Sequence, residues 1–175
     1  MTDSSSERQP PAETQRAEVP DTLRAVEGFR ALGFFPADHA VVESSKLYVH
    51  GGYWTILRFR SFPATLSTCA LAGVIQVPFH EHHADHVFEM GVEDAEREPL
   101  GTKIEGGFRV AAGIDSRYGE SGVIPIAVVI NGLSFDRPGD YSFFLKVDAK
   151  ELARYHFRVM QVAQAGPVGT PPAEG

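Results

Sequence analysis

Ile124-Pro125-Ile126-Ala127-Val128-Val129-Ile130-Asn131 decides the fold class of this chain. Read with a period of two, it sets Ile124, Ile126, Val128 and Ile130 on one side and Pro125, Ala127, Val129 and Asn131 on the other, which is the pattern of a β-strand. Both sides are largely apolar, so the stretch is expected to be an interior strand.

The same period runs outward in both directions. Downstream, Tyr141, Phe143, Leu145 and Val147 alternate with Ser142, Phe144, Lys146 and Asp148, an inward row and a mostly wetter outward row. Tyr155, Phe157 and Val159 then oppose His156 and Arg158. Upstream, Phe88, Met90 and Val92 alternate with Val87, Glu89 and Gly91, while Ile104, Phe108 and Val110 alternate with Glu105 and Arg109. The charged, turn-rich residues 93–101 join these two runs, which predicts an antiparallel pair. Residues 65–77 place Leu71, Ile75 and Val77 on one side and Ala70, Ala72 and Val74 on the other, and Pro78 is expected to end that strand. Residues 41–43, 47–50 and 55–59 read as shorter strands separated by Ser44-Ser45 and Gly51-Gly52.

Near the start two readings compete. Asp21 caps a helical turn carrying Leu23, Val26 and Phe29 and ended by Gly33, or Phe34 and Phe35 begin the first strand, closed by Pro36. Short strands with turn signals at close intervals predict an all-β chain, an antiparallel immunoglobulin-like β-sandwich of about eight strands. Arg137-Pro138-Gly139-Asp140-Tyr141 sharpens that expectation. A Pro-Gly turn leading into a Tyr-led strand is the pattern in which a tyrosine hydroxyl ties down the preceding turn of such sandwiches.

Residues 1–22 are dominated by Ser, Gln, Pro, Glu and Arg and hold little that a core could bury, and residues 163–175 are rich in Ala, Gly and Pro. Both ends are expected to be disordered, leaving residues 23–162 as one domain. Of the net charge of -7, the leader contributes -3, from Asp3, Glu7, Glu13, Glu18 and Asp21 against Arg8 and Arg16. An acidic chain without a Lys/Arg cluster is not expected to bind nucleic acid. A basic, apolar leader and a long apolar run are both missing from the sequence, so no signal peptide and no membrane partner are expected. With Cys69 as the one cysteine, a reducing cytoplasm is the expected location.

The segment Pro78-Phe79-His80-Glu81-His82-His83-Ala84-Asp85-His86 holds four of the seven histidines. His80, His82, His83 and His86 are the candidate metal ligands, with Glu81 or Asp85 beside them. The zinc-protease spacing fails, because the position four residues after His80 is Ala84. A short loop aims only about two side chains at one point, whereas zinc takes three or four ligands. His39, His50 and His156 are the other histidines that strand pairing could bring near, and the competing reading is a solvated polar loop.

Gly51-Gly52-Tyr53-Trp54 supplies the candidate binding residues, Tyr53 and Trp54. Adjacent residues of a strand point to opposite faces, so one ring enters the core and the other faces out as a possible interface anchor. The competing reading makes Trp54 a core aromatic and has Tyr53 covered. Cys69 lies among small apolar residues and reads as core. Neither Gly-x-Ser-x-Gly nor a phosphate loop is present.

Ala37-Asp38-His39-Ala40, the run 46–54, Ala72-Gly73-Val74-Ile75-Gln76-Val77-Pro78 and Pro138-Gly139-Asp140-Tyr141 together resemble a family of small bacterial proteins of unknown function, common in actinobacteria. The resemblance covers about residues 34–162 and implies a β-sandwich; Tyr53 departs from the glycine expected there, and no catalytic residue carries over. The function expected is a non-catalytic protein-binding or assembly module, joining a protein partner or a second copy and needing no cofactor. The alternative is a metal- or small-ligand-binding protein built on residues 80–86.

Overall fold

The computed structural model describes residues 24–111 and 117–162. The expected disordered leader, residues 1–22, and tail, residues 163–175, lie outside them. The described chain is all-β, with strands β1 (Arg30–Ala37), β2 (His39–Glu43), β3 (Lys46–His50), β4 (Ile56–Phe59), β5 (Ala64–Val77), β6 (His86–Asp94), β7 (Pro99–Phe108), β8 (Gly122–Phe135), β9 (Gly139–Val147) and β10 (Lys150–Gln161). They form a three-stranded sheet in the order β1-β5-β8, a five-stranded sheet in the order β4-β10-β9-β6-β7, and the hairpin β2-β3.

One core lies between the two larger sheets. Leu71, Ile75 and Val77 of β5 and Ile126, Leu133 and Phe135 of β8 meet Met90, Val92, Phe143, Leu145, Phe157 and Val159 from the other sheet. The opposite face of β5 is equally informative. Ala70 and Ala72 are buried there with Ala40, against Phe35, Leu47, Val49 and Ala127, because the β2-β3 hairpin lies over the three-stranded sheet as a third layer. Small side chains let it approach closely.

Four expectations are corrected. The helix alternative over residues 21–33 gives way to the strand alternative: residues 24–29 are non-helical, and β1 starts at Arg30. The Arg24 carbonyl is held there by Gln76 and the Ser121 hydroxyl. The stretch 124–131 belongs to an edge strand, β8, and not to an interior one. Its second apolar face comes from the hairpin cover, and Pro125, with no amide hydrogen for a second neighbour, suits an edge. Pairing is not wholly antiparallel, since β4 runs parallel to β10. Strands number ten among the described residues, not about eight; the short strands β2, β3 and β4 are present as expected, and β1 is the added one, standing where the helix alternative was.

Other expectations hold. β6 and β7 pair antiparallel, β5 stops before Pro78, and the Tyr141 hydroxyl donates to the Arg137 carbonyl at 2.8 Å. Phe144 faces outward as its parity requires, yet is only 4% exposed. Its ring lies over Gly91, the residue opposite it on β6, where an added Cβ would stand 2.7 Å from the ring. Lys146 Nζ sits 4.7 Å from the ring centroid.

Two tight turns are built from residues other than glycine. Ser44 and Ser45 join β2 to β3 at φ 49° and 59°, and Asp148 and Ala149 join β9 to β10 at φ 48° and 66°. Two successive left-handed residues match the twist of the flanking strands, but a Cβ there is strained. Ala149→Gly is therefore expected to stabilise the fold by about 1 kcal/mol, seen as a higher chemical-denaturation midpoint with unchanged slope. Asp148 is not interchangeable in this way, because its carboxylate is in use.

Candidate functional site

A single 3-10 turn, Phe79–Glu81, carries the histidine segment from β5 to β6. The segment separates its histidines instead of gathering them. His80 and His83 are exposed. His86 is 5% exposed, and its two nitrogens both face acceptors: Nδ1 donates to the Asp148 carboxylate at 2.8 Å and Nε2 to the Glu81 carbonyl at 3.2 Å. Two donors require the imidazolium. Burial works against that charge, but the hydrogen bonds to Asp148 and Glu81 and the attraction of both carboxylates prevail, so the pKa is raised. Phe29 and Phe108 flank the ring at 4.8 and 5.4 Å.

His82 behaves oppositely. Both of its ring nitrogens are shielded and have no hydrogen-bond partner among the described residues, and burial lowers its pKa. Asp85 pairs with Arg109, whose hydrogen bonds hold its carboxyl below the usual range. No three His, Cys, Asp or Glu side chains converge as a metal-ligand set among the described residues. Two of the other histidines do meet: His39 and His50 are cross-strand partners in the β2-β3 hairpin, with ring centroids 6.4 Å apart.

At the aromatic pair, Trp54 packs edge-on against Phe143 and Phe157 at 5.9 and 5.6 Å. Tyr53, at φ 69°, is 66% exposed; its ring meets Phe35 at 4.8 Å and Tyr155 at 5.6 Å. Behind it a cleft of about 360 Å³ is lined by Asp38, Trp54, Leu57, Leu66 and Cys69 among others. Burial and the nearby Asp38 push the Cys69 thiol up to about 11, so it stays a protonated core residue at neutral pH.

Ser142 Oγ and His156 Nδ1 lie 2.9 Å apart beside an open dish lined by Asp140, His156 and Arg158. A serine nucleophile needs free backbone donors for the oxyanion. Ser142 is buried, and β9 has a ladder neighbour on each side, β10 and β6, to take up its amides.

The feature that sequence reasoning missed is the free edge of β8. Fourteen residues, Gly122–Phe135, contain no charged side chain, although natural edge strands are commonly blunted by lysine or other charges. Val129 is 49% exposed on its outer face. Between β8 and β7, each the end strand of its sheet, runs a groove of about 420 Å³ lined by Val92, Leu100, Ile104, Ile130 and Leu133 among others. The run of apolar residues signals a strand. Only pairing shows that one side of it is open.

A family model described as a family of unknown function, DUF6941, matches residues 32–160. No curated protein matches the chain. Among solved structures, a β-glucosidase from Listeria innocua in complex with glucose is similar at a TM-score of 0.38 and 9% identity, over 63% of this chain and 15% of that one. The alkylpurine DNA glycosylase AlkC from Pseudomonas fluorescens, bound to DNA containing an abasic site analog, gives 0.36 and 9%, over 72% of this chain and 30% of that one. The β-glucosidase EmGH1 from Erythrobacter marinus gives 0.37 and 9%, over 73% and 15%. This chain thus spans less than a third of each of these proteins.

Proposed function

The chain belongs to this family of unknown function, and we propose that it is an assembly module whose β8 edge pairs with β8 of a second copy. The observation that carries the reading is a fourteen-residue edge strand without a single charge, bordering a groove lined in part by aliphatic side chains. Around a two-fold axis such a strand opposes itself antiparallel, so one surface suffices for both partners. On a chain of net charge -7, β8 is a stretch where two copies meet without setting like charges opposite each other. β-branched pairs such as Val128 and Val129 across the axis are favourable cross-strand neighbours. The joined edges would make the two three-stranded sheets continuous and cover the unpaired backbone groups that an open edge leaves.

An immunoglobulin-like arrangement of the two layers is part of the same reading, supported by the Tyr141 tie to Arg137. So is a reducing, cytoplasmic setting, supported by one buried, unpaired cysteine. Tyr53 serves as a second, exposed anchor for a protein partner in this scheme.

The test is the native mass of the untagged protein across a concentration series, beside Val129→Lys/Asn131→Lys. Both substituted side chains are exposed on β8, so the circular dichroism spectrum should not change. Wild type is expected to be a dimer and the double variant a monomer. A wild-type monomer at every concentration, or a dimer indifferent to the two lysines, overturns the proposal. A monomer that instead gains mass with an added apolar peptide would assign the edge to a different occupant.

A further inference from the structure

The geometry points to a divalent transition-metal site at the base of the β2-β3 hairpin, formed by His39 and His50. The two residues are direct cross-strand partners, and such pairs hold their Cβ atoms about 4.5–5.5 Å apart. Their ring centroids stand 6.4 Å apart with planes tilted by 37°. Two imidazoles on one metal, each at a metal–nitrogen distance of about 2.0–2.1 Å, need the rings only slightly closer. Rotation of two exposed side chains supplies that movement.

Both nitrogens of each ring are available. Among the described residues neither imidazole takes part in a hydrogen bond or ion pair, and both side chains are exposed, so binding displaces no internal contact. The contrast with His86, which spends both nitrogens on protein acceptors, is direct.

The backbone beneath the pair is braced. The Asp38 amide donates to the carbonyls of His50 and Gly51 at 3.1 and 3.2 Å, and the Tyr53 amide donates to Pro36 at 2.9 Å. The inner face of the hairpin is held by Ala40 and Val49 against the three-stranded sheet. Rigid backbone on both sides fixes where the imidazoles start, which reduces the ordering that metal binding must impose.

Two imidazoles with solvent filling the other positions suit Cu²⁺ or Ni²⁺, whose tetragonal sites accept N and O ligands. Structural zinc, by contrast, takes four protein ligands. A bound ion would clip residue 39 to residue 50 and close the hairpin as a loop. That hairpin packs on Ala127 of β8, so the clip would stiffen the layer that backs the β8 strand.

The experiment is calorimetric titration of the untagged full chain with Ni²⁺ alone, at neutral pH. Wild type is expected to bind one Ni²⁺ per chain. His39→Asn and His50→Asn should each abolish that binding singly, while His80→Asn/His83→Asn should keep it. Melting curves without metal should be alike for all four proteins, since the substituted residues are exposed. Retention of binding in either single variant, or its loss only in His80→Asn/His83→Asn, overturns the assignment; the second result would move the metal to the 80–86 segment. Absence of any Ni²⁺ binding by wild type overturns it as well, and none of these outcomes depends on whether the chain dimerises.

Discussion

Phe143→Ala is expected to destabilise the fold by about 3–5 kcal/mol, a large part of the roughly 5–15 kcal/mol that holds a domain of this kind together. Phe143 is fully buried on β9, the central strand of the five-stranded sheet. Its ring stacks on Phe157 with centroids 4.6 Å apart and meets Trp54 edge-on at 5.9 Å. Phe157 in turn stacks on Tyr141 and meets Phe135 from β8. Removing Phe143 therefore takes away its own transfer free energy and leaves a cavity under rings that are anchored on two different sheets. Those rings cannot all collapse into it. Urea unfolding measures the loss, and a cost below about 1.5 kcal/mol, the range of a volume-conserving swap, would mean that this part of the core is loosely packed.

The second large effect concerns the turn between β9 and β10. Asp148→Ala is expected to cost about 2 kcal/mol, because it leaves the His86 imidazolium without its carboxylate and the Val87 amide without its acceptor at 3.1 Å. The figure stays below the cost of breaking a fully buried pair because the Asp148 side chain is about half exposed. The pH dependence has a definite sign. His86 has a folded pKa raised above 6.5, so its contribution is complete below 6.5 and fades as pH rises through the raised value. Asp148 has a folded pKa lowered below 3.8, where the hydrogen bonds from Val87 and His86 overcome burial, so its contribution is complete above 3.8 and fades as pH falls further.

The difference in stability between wild type and Asp148→Ala should then be greatest between about pH 4 and 6.5, and it should shrink on either side. Denaturation midpoints for the two proteins across that range provide the measurement. His82 acts with the opposite sign, because burial lowers its pKa and stability is lost as pH falls below 6.5. Both proteins carry His82, so its effect cancels in the comparison. A difference that is flat from pH 4 to 9 would mean that His86 is not charged in the folded chain.

Alternation made most strands legible. Leu71, Ile75 and Val77 were assignable to one face and Ala70 and Ala72 to the other from their spacing alone, and the structure puts them in two separate cores. Tyr141 was legible because its turn residues precede it locally. The helix alternative over residues 21–33 rested on a few apolar residues at helical spacing, and Arg30–Ala37 forms strand because β5 offers it a ladder along its length, interrupted by one register shift between Ala31 and Gly33. The histidine segment suggested a common site because its residues are close in sequence. Its chemistry is set by groups far away, with Asp148 reaching His86 from the β9–β10 turn.

What the residues determined without help is the period of two, the strand ends at proline and paired turn residues, and the composition of each face. Those are local properties, fixed by where Cβ atoms point and which φ angles a residue tolerates. Whether an apolar strand sits inside a sheet or at its edge is not local. β8 and β5 each run for fourteen residues without a charged side chain, and only the pairing of β1 with β5 leaves β8 open. The same holds for His39 and His50, eleven positions apart in sequence and brought opposite each other by a register that the Ser44-Ser45 turn sets. Strand neighbours are chosen by the hydrogen-bonding needs of the whole backbone, and that choice decides which edges and which side-chain pairs remain free to bind.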